Sequence, residues 1–305
     1  MVTPSFPDYP FASHFFDRRG LRLHYLEEGQ GAETMVMVHG NPSWSFLYRR
    51  LVSAFRDTCR VIVPDHIGCG LSDKPGDDRY EYRLRSRIDD LEALLADRGV
   101  TGDITLVVHD WGGPIGFGYA ARHPERIKRL VIFNTAAFGL PAGKPFPWPL
   151  WLFRHSALGE WLTRRCNAFA RITALTSTVK PLPPAVYEAF LAPYDSWENR
   201  IATIRFVQDI PLAPGDPSWD DLQAVERGLA HFQNTPALLC WGQRDFIFDR
   251  AFFLEWRRRL PQVEAHSFRQ AGHYLLEEVH QEVIALMRDF LARHPLDNRP
   301  TTVSA

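Results

Sequence analysis

An α/β fold, a mostly parallel doubly wound sheet interrupted by a helical insertion, is the class that this 305-residue sequence predicts. Three observations lead there. Short apolar runs end in Gly or in Pro-Asp, as strands buried on both faces do. Those runs alternate with segments of helical spacing. Finally, "VVHDWGG", residues 107–113, carries an apolar strand into a tight turn followed by small residues. That is the pattern of a strained strand-to-helix elbow, which lifts one side chain above a sheet.

In chain order, "LRLHYLEEG" alternates as an edge strand does, and "TMVMVHG" and "RVIVPD" are short buried strands. "RSRIDDLEALLADRG" has helical spacing and a Gly stop. "DITLVVHD" is the next strand, "GGPIGFGYAARHP" a Gly-rich helix and "IKRLVIFNT" another strand. From Ala136 the texture changes. "FGLPAGKPFPWPLWLFRH" is dense in Pro and aromatics, and helical patterns continue to about Leu229, with breaks at "KPLPPAVYEAFLAPY" and "APGDPSWDD". The sheet pattern resumes at "PALLCWGQRD" and "QVEAHSFRQAG", before a closing helix, "HQEVIALMRDFLARHP". The expected organisation is a single core, residues 1–135 and 230–305, interrupted by a helical cap over 136–229. The final "LDNRPTTVSA" is polar and is expected to fray.

Bulk properties exclude several function classes. Lys plus Arg is 35 and Asp plus Glu is 36, a net charge of -1, so no basic excess points to nucleic acid. Cys59, Cys69, Cys166 and Cys240 are widely spaced with no CxxC pair. They fit neither a zinc site nor a disulfide framework, and read as isolated thiols of a reducing cytoplasm. No metal or cofactor site is expected. "MVTPSFPDYPFASHFF" lacks the basic-then-apolar order of a signal peptide, and no apolar run is long enough to span a bilayer.

The residue at the tip of the elbow is Asp110, where Ser is usual, and Trp111 follows it. In such folds the nucleophile precedes an acid and then a His, each on a loop after a later strand. "CWGQRD" supplies Asp245 and "QAGHYLLEE" supplies His273, in that order and context. "VHGNPSW" places Asn41 on the loop after an earlier strand, which donates one backbone N–H to an oxyanion hole; the residue after the nucleophile donates the other. The amides of Asn41 and Trp111 fill those roles, and their side chains add two uncharged donors if they point inward. His109 is read as structural. A carboxylate, ionised without help, can attack a saturated carbon and form an alkyl ester. His273, oriented by Asp245, can then activate water, while N–H donors stabilise the departing anion.

"HGNPSWSFLYR", "PDHIGCGLSDKP", "VVHDWGGPIG", "WGQRD" and "AGHYLLEE" together resemble the haloalkane dehalogenases, over nearly the whole chain except the cap. The resemblance implies an α/β-hydrolase fold with an eight-stranded sheet. It makes Asp110 the nucleophile, His273 the base, Asp245 its orienting acid, and Asn41 with Trp111 the leaving-group clamp. Some dehalogenases carry the acid after the preceding strand as Glu; that place here reads "VIFNTAAF", with Asn134, so Asp245 serves, as in a third branch of the family. Within that branch "HIGCGLSDKPGDDRYEYRLRSRIDDLEALL", "NTAAF" and "WGQRDFIFD" are most similar to the β-lactone decarboxylases of bacterial long-chain olefin biosynthesis. That likeness implies conversion of a cis-3,4-dialkyl-oxetan-2-one to a cis-alkene and carbon dioxide, and a possible complex with other enzymes of the pathway. Attack by Asp110 on the ring carbon bearing oxygen and attack on the carbonyl both remain open.

Phe138, Phe146, Trp148 and Trp151, with Leu152 and Phe153, are expected to line an apolar channel for alkyl chains or, equally, to pack the cap on the core. Haloalkane hydrolysis is the alternative activity. Epoxide hydrolases also use an Asp nucleophile, with two Tyr as acids; Tyr187 and Tyr194 are available, but the Asn41–Trp111 pair argues against that reading. A ligand-binding receptor on the same scaffold is the non-enzymatic alternative, opposed by an intact triad.

Overall fold

The central strands are apolar on both faces because helices cover both sides of them. β3 (Thr34–Val38, TMVMV) and β5 (Ile104–Asp110, ITLVVHD) are buried along their whole length in the computed structural model, which describes residues 6–296. The fraying expected beyond Leu296 falls outside the described residues. Around these two strands stand β1 (His14–Arg18), β2 (Leu21–Glu28), β4 (Arg60–Pro64), β6 (Ile127–Thr135), β7 (Ala237–Gly242) and β8 (Glu264–Phe268), giving the sheet order β1-β2-β4-β3-β5-β6-β7-β8. β1 and β2 are antiparallel to their neighbours, and every other pairing is parallel. β1 carries HFFDR and lies on the outer side of β2, so the alternating "LRLHYLEEG" run is a second strand rather than the edge.

The helices are α1 (Arg49–Phe55), α2 (Leu84–Asp97), α3 (Gly112–Arg122), α4 (Trp148–His155), α5 (Ala157–Cys166), α6 (Ala168–Thr176), α7 (Pro184–Leu191), α8 (Ile201–Gln208), α9 (Trp219–Gly228), α10 (Arg250–Arg259), α11 (Leu275–Glu278) and α12 (His280–Arg293). One large apolar cluster includes α2, α3, α9 and α10; another, on the opposite sheet face, includes α1, α11 and α12. Side chains such as Leu106, Val107 and Val108 are wholly buried, each contributing about 1.5–3 kcal/mol relative to exposure. α4 to α9 all lie between β6 and β7, a helical insertion at the carboxyl edge of the sheet. Its short helices are set by local signals. Pro147 and Pro149 start α4, the Ser156 hydroxyl accepts the Gly159 N–H at the start of α5, and Asn167 in the left-handed region (φ 54°) ends it.

Candidate active site

Three strand ends bring the polar side chains together. β5 ends at Asp110, whose φ of 52° is in the left-handed region, a conformation that costs a non-glycine residue about 1–3 kcal/mol. The turn is held by the Thr135 hydroxyl at the end of β6, which donates to the Asp110 carbonyl. Close packing leaves no room for side chains around it. A Cβ on Gly40 would lie 2.0 Å from Asp110 Oδ1, and one on Gly112 would lie 1.8 Å from the Val38 carbonyl. Glycine at position 40 therefore lets the loop after β3 bring the Asn41 N–H to 2.7 Å from Asp110 Oδ1.

Asp245 follows β7 and accepts four hydrogen bonds. Its Oδ1 takes the N–H groups of Ile247 (2.8 Å) and Phe248 (3.0 Å), and its Oδ2 takes Asn134 Nδ2 (3.0 Å) and His273 Nδ1 (2.7 Å). With Nδ1 committed to Asp245, His273 turns Nε2 toward Asp110, 3.7 Å from Oδ2. The sequence-predicted Asp110, Asp245 and His273 thus converge, and all three are buried.

Burial pushes the Asp110 pKa up, and although the His273 charge and the amides of Asn41 and Trp111 pull it down, the net value stays raised. For Asp245 burial also pushes up, but the charge and hydrogen bond of His273 outweigh it and hold the carboxyl below its ordinary range. Burial disfavours the charged form of His273. The Asp245 charge and hydrogen bond, followed by the Asp110 charge, reverse this and raise its pKa. The set is an imidazole held between two carboxylates in a buried pocket, with the nucleophile candidate poorly solvated.

The other expected residues divide. The Trp111 side chain lines the cavity, and its indole N–H has no acceptor among the described residues. Asn41 also lines it, but one N–H of its side chain donates to the Thr203 carbonyl of α8 at 3.0 Å, and its Oδ1 is buried without a partner. Phe138 and Phe146 line the cavity, as does Phe153. Trp148 and Trp151 do not. They correct the sequence expectation: α4 turns Leu150 and Phe153 inward, and the helical period carries Trp148 and Trp151 to the opposite face, 76% and 54% exposed. Tyr187 and Tyr194 lie away from the cavity lining, with the Tyr194 hydroxyl donating to the Ser43 carbonyl, so neither is placed to protonate a bound epoxide. His109 donates through Nε2 to the His273 carbonyl at 2.9 Å, and burial keeps it neutral.

One contributor was read in the sequence only as the residue standing where some dehalogenases carry the acid. The Asn134 side chain bridges β6 and β7, donating to Gly242 O and Asp245 Oδ2 (both 3.0 Å) and accepting the Gly242 N–H (2.8 Å). A polar residue inside the apolar run VIFNT is the signal it left. The cavity above the charged set holds about 190 Å³ and is walled by α4, α6 and the turn at Phe246, Ile247 and Phe248. Its surface is overwhelmingly apolar. Among the described residues, no cluster of His, Cys, Asp and Glu is arranged to hold a metal ion.

An Asp elbow beside a His–Asp pair, on an eight-stranded sheet with a helical insertion, is an α/β-hydrolase arrangement, and the alpha/beta hydrolase fold family matches residues 33–278. The cis-3-alkyl-4-alkyloxetan-2-one decarboxylase of Shewanella oneidensis is 55% identical over 283 residues, 92% of this chain and 89% of that protein. The enzyme of the same name from Xanthomonas campestris is 50% identical over 96% of this chain and all of that protein. A haloalkane dehalogenase of Mycolicibacterium paratuberculosis is 31% identical, over 89% of each. The chain belongs to the alpha/beta hydrolase family and, within it, to the family of the cis-3-alkyl-4-alkyloxetan-2-one decarboxylases.

Proposed function

We propose that this chain is a β-lactone decarboxylase, converting a cis-3-alkyl-4-alkyl-oxetan-2-one to a cis-alkene and carbon dioxide. The observation that carries this reading is the match of 55% and 50% identity to two enzymes of that name, against 31% to a dehalogenase. The site supports it: a desolvated carboxylate, a hydrogen-bonded imidazole and an apolar cavity suit a substrate of low polarity with a carboxylate leaving group. The helical insertion, residues 136–229, acts as the cap over that cavity.

The chemistry balances without water. The Asp110 carboxylate attacks the ring carbon bearing oxygen from the face opposite the C–O bond. That bond breaks with its electron pair, leaving a carboxylate on the neighbouring carbon and an ester to Asp110. The new C–O(Asp) bond is now anti to the bond holding the carboxylate. Loss of carbon dioxide supplies the electron pair of the new double bond, and Asp110 departs as carboxylate. One inversion followed by one anti elimination, with no rotation about the central bond, takes a cis-lactone to a cis-alkene. A protonated His273, the form that Asp245 and Asp110 favour, stabilises the carboxylate as it forms, together with the Trp111 indole N–H.

A side-by-side assay on a cis-3,4-dialkyl-β-lactone and a panel of bromoalkanes tests the reading. Alkene and carbon dioxide from the lactone with little halide release are expected. Fast halide release without alkene would promote the dehalogenase, and a β-hydroxy acid from the lactone would indicate hydrolysis.

A further inference from the structure

The outer surface of α4, α5 and α6 gathers side chains that a water-facing surface does not normally concentrate. Trp148, Trp151, Leu158, Trp161, Ile172 and Leu175 are all exposed. Helical spacing aligns them along neighbouring helices. Leu158, Trp161 and Arg165 recur along one side of α5, Arg171 and Leu175 along one side of α6, and α5 packs on both α4 and α6. Ile172 is at once exposed and part of the cavity lining, as are Leu140 and Phe246, so the apolar face runs into the cavity mouth.

Charge on this part of the chain is one-sided. Residues 136–183 hold six basic side chains (Lys144, Arg154, Arg164, Arg165, Arg171 and Lys180) and one acidic, Glu160, in a chain whose net charge is -1. Lys144, Arg154 and Arg164 are paired with Asp249, Asp216 and Glu160. Arg165, Arg171 and Lys180 are exposed and have no acidic partner among the described residues.

We propose that this face docks on an anionic lipid surface, with Trp148, Trp151 and Trp161 seated among the headgroups and Arg165, Arg171 and Lys180 against lipid phosphates. Indoles favour the interface because the ring is apolar and the N–H is polar, and basic side chains beside them add attraction to acidic lipids. A second copy of this chain fits the face poorly, since a two-fold contact would set the same unpaired cations against each other. Under the lactone reading, docking also sets the cavity mouth against the phase into which an apolar alkene partitions.

The test uses the full chain and vesicles of equal parts phosphatidylglycerol and phosphatidylcholine, with phosphatidylcholine alone as control. Co-sedimentation and a blue shift of Trp emission are expected on the anionic vesicles, much weaker on the neutral ones, and falling as salt rises from roughly 0.05 M to 0.5 M. Arg165→Glu with Arg171→Glu should weaken binding by about tenfold or more. Trp148→Gln with Trp161→Gln should remove most of the blue shift, and unchanged melting curves would show both variants folded. Equal binding to neutral vesicles, or parental binding by both variants, overturns the proposal. So does sedimentation velocity showing the chain assembling through these Trp residues with no vesicle binding, which would make the face a self-association surface.

Discussion

The floor and the roof of the cavity are built on opposite plans. The floor is the carboxyl edge of the sheet, where Asn134, Asp245 and His273 are joined by hydrogen bonds and Asp110, fixed by the Asn41 N–H and the Thr135 hydroxyl, lies 3.7 Å from His273. The roof is a run of short helices that contributes Phe153, Phe169, Ile172 and their neighbours, with contacts that are non-directional. A polar network loses function when one member moves by an ångström, whereas an apolar wall can repack around a different chain. Floor residues should therefore govern the rate of chemistry, and roof residues the length and fit of the alkyl groups.

The sharpest way to break that division is Asp110→Ala. Turnover should vanish while the fold remains, because no neighbouring carboxylate can reach the same point; a folded variant with near-parental turnover would remove Asp110 from the chemistry. Next come Trp111→Phe and Asn41→Ala, each expected to slow turnover by about 10²-fold if the side chains stabilise the departing anion. Asn41 is the more demanding test, since its side chain is already tied to α8; unchanged rates in both would leave the charge to the backbone amides. Asn134→Ala should cost roughly tenfold in turnover and about 1–3 kcal/mol in stability, because it leaves the Gly242 backbone groups and one Asp245 oxygen short of partners. A denaturant melt beside the rate measurement reads both. The pH profile sharpens the comparison further. In the proposed mechanism Asp110 works ionised and burial raises its pKa, so kcat/KM should fall, as pH drops, at a pH above the ordinary aspartate value. The His273 charge opposes that rise, so residual activity in His273→Gln should show its acid limb at still higher pH. The smallest effect belongs to the roof. Phe146→Leu should change KM for a given alkyl length by only a few-fold, roughly 1 kcal/mol, with kcat little altered.

The same division governs how much was legible in the sequence. The floor could be read because each catalytic candidate follows an apolar run, and a strand end followed by a loop is a local signal. Asn134 was harder, since its partner Gly242 lies 108 residues away and only the fold reveals the contact. β1 was not singled out because five residues of weak alternation carry little information until β2 pairs with them. In the roof, composition announced aromatics but not their direction. Which side of an eight-residue α4 faces inward depends on α8 and α5 packed against it, so Phe153 and Trp151, two positions apart, met opposite fates.

The left-handed turn at Asp110 also sets the site against the durability of the molecule. Backbone strain and a desolvated carboxylate occupy the same residue, and neither helps the chain fold. Asp110→Gly relieves both while giving up the Asn41 N–H bond, so this variant should melt slightly above the parent, by roughly 1.5 °C for each net kcal/mol regained. A screen that rewards heat resistance without asking for product would thus drift toward losing Asp110, and any programme to harden this protein has to select for activity at the same time.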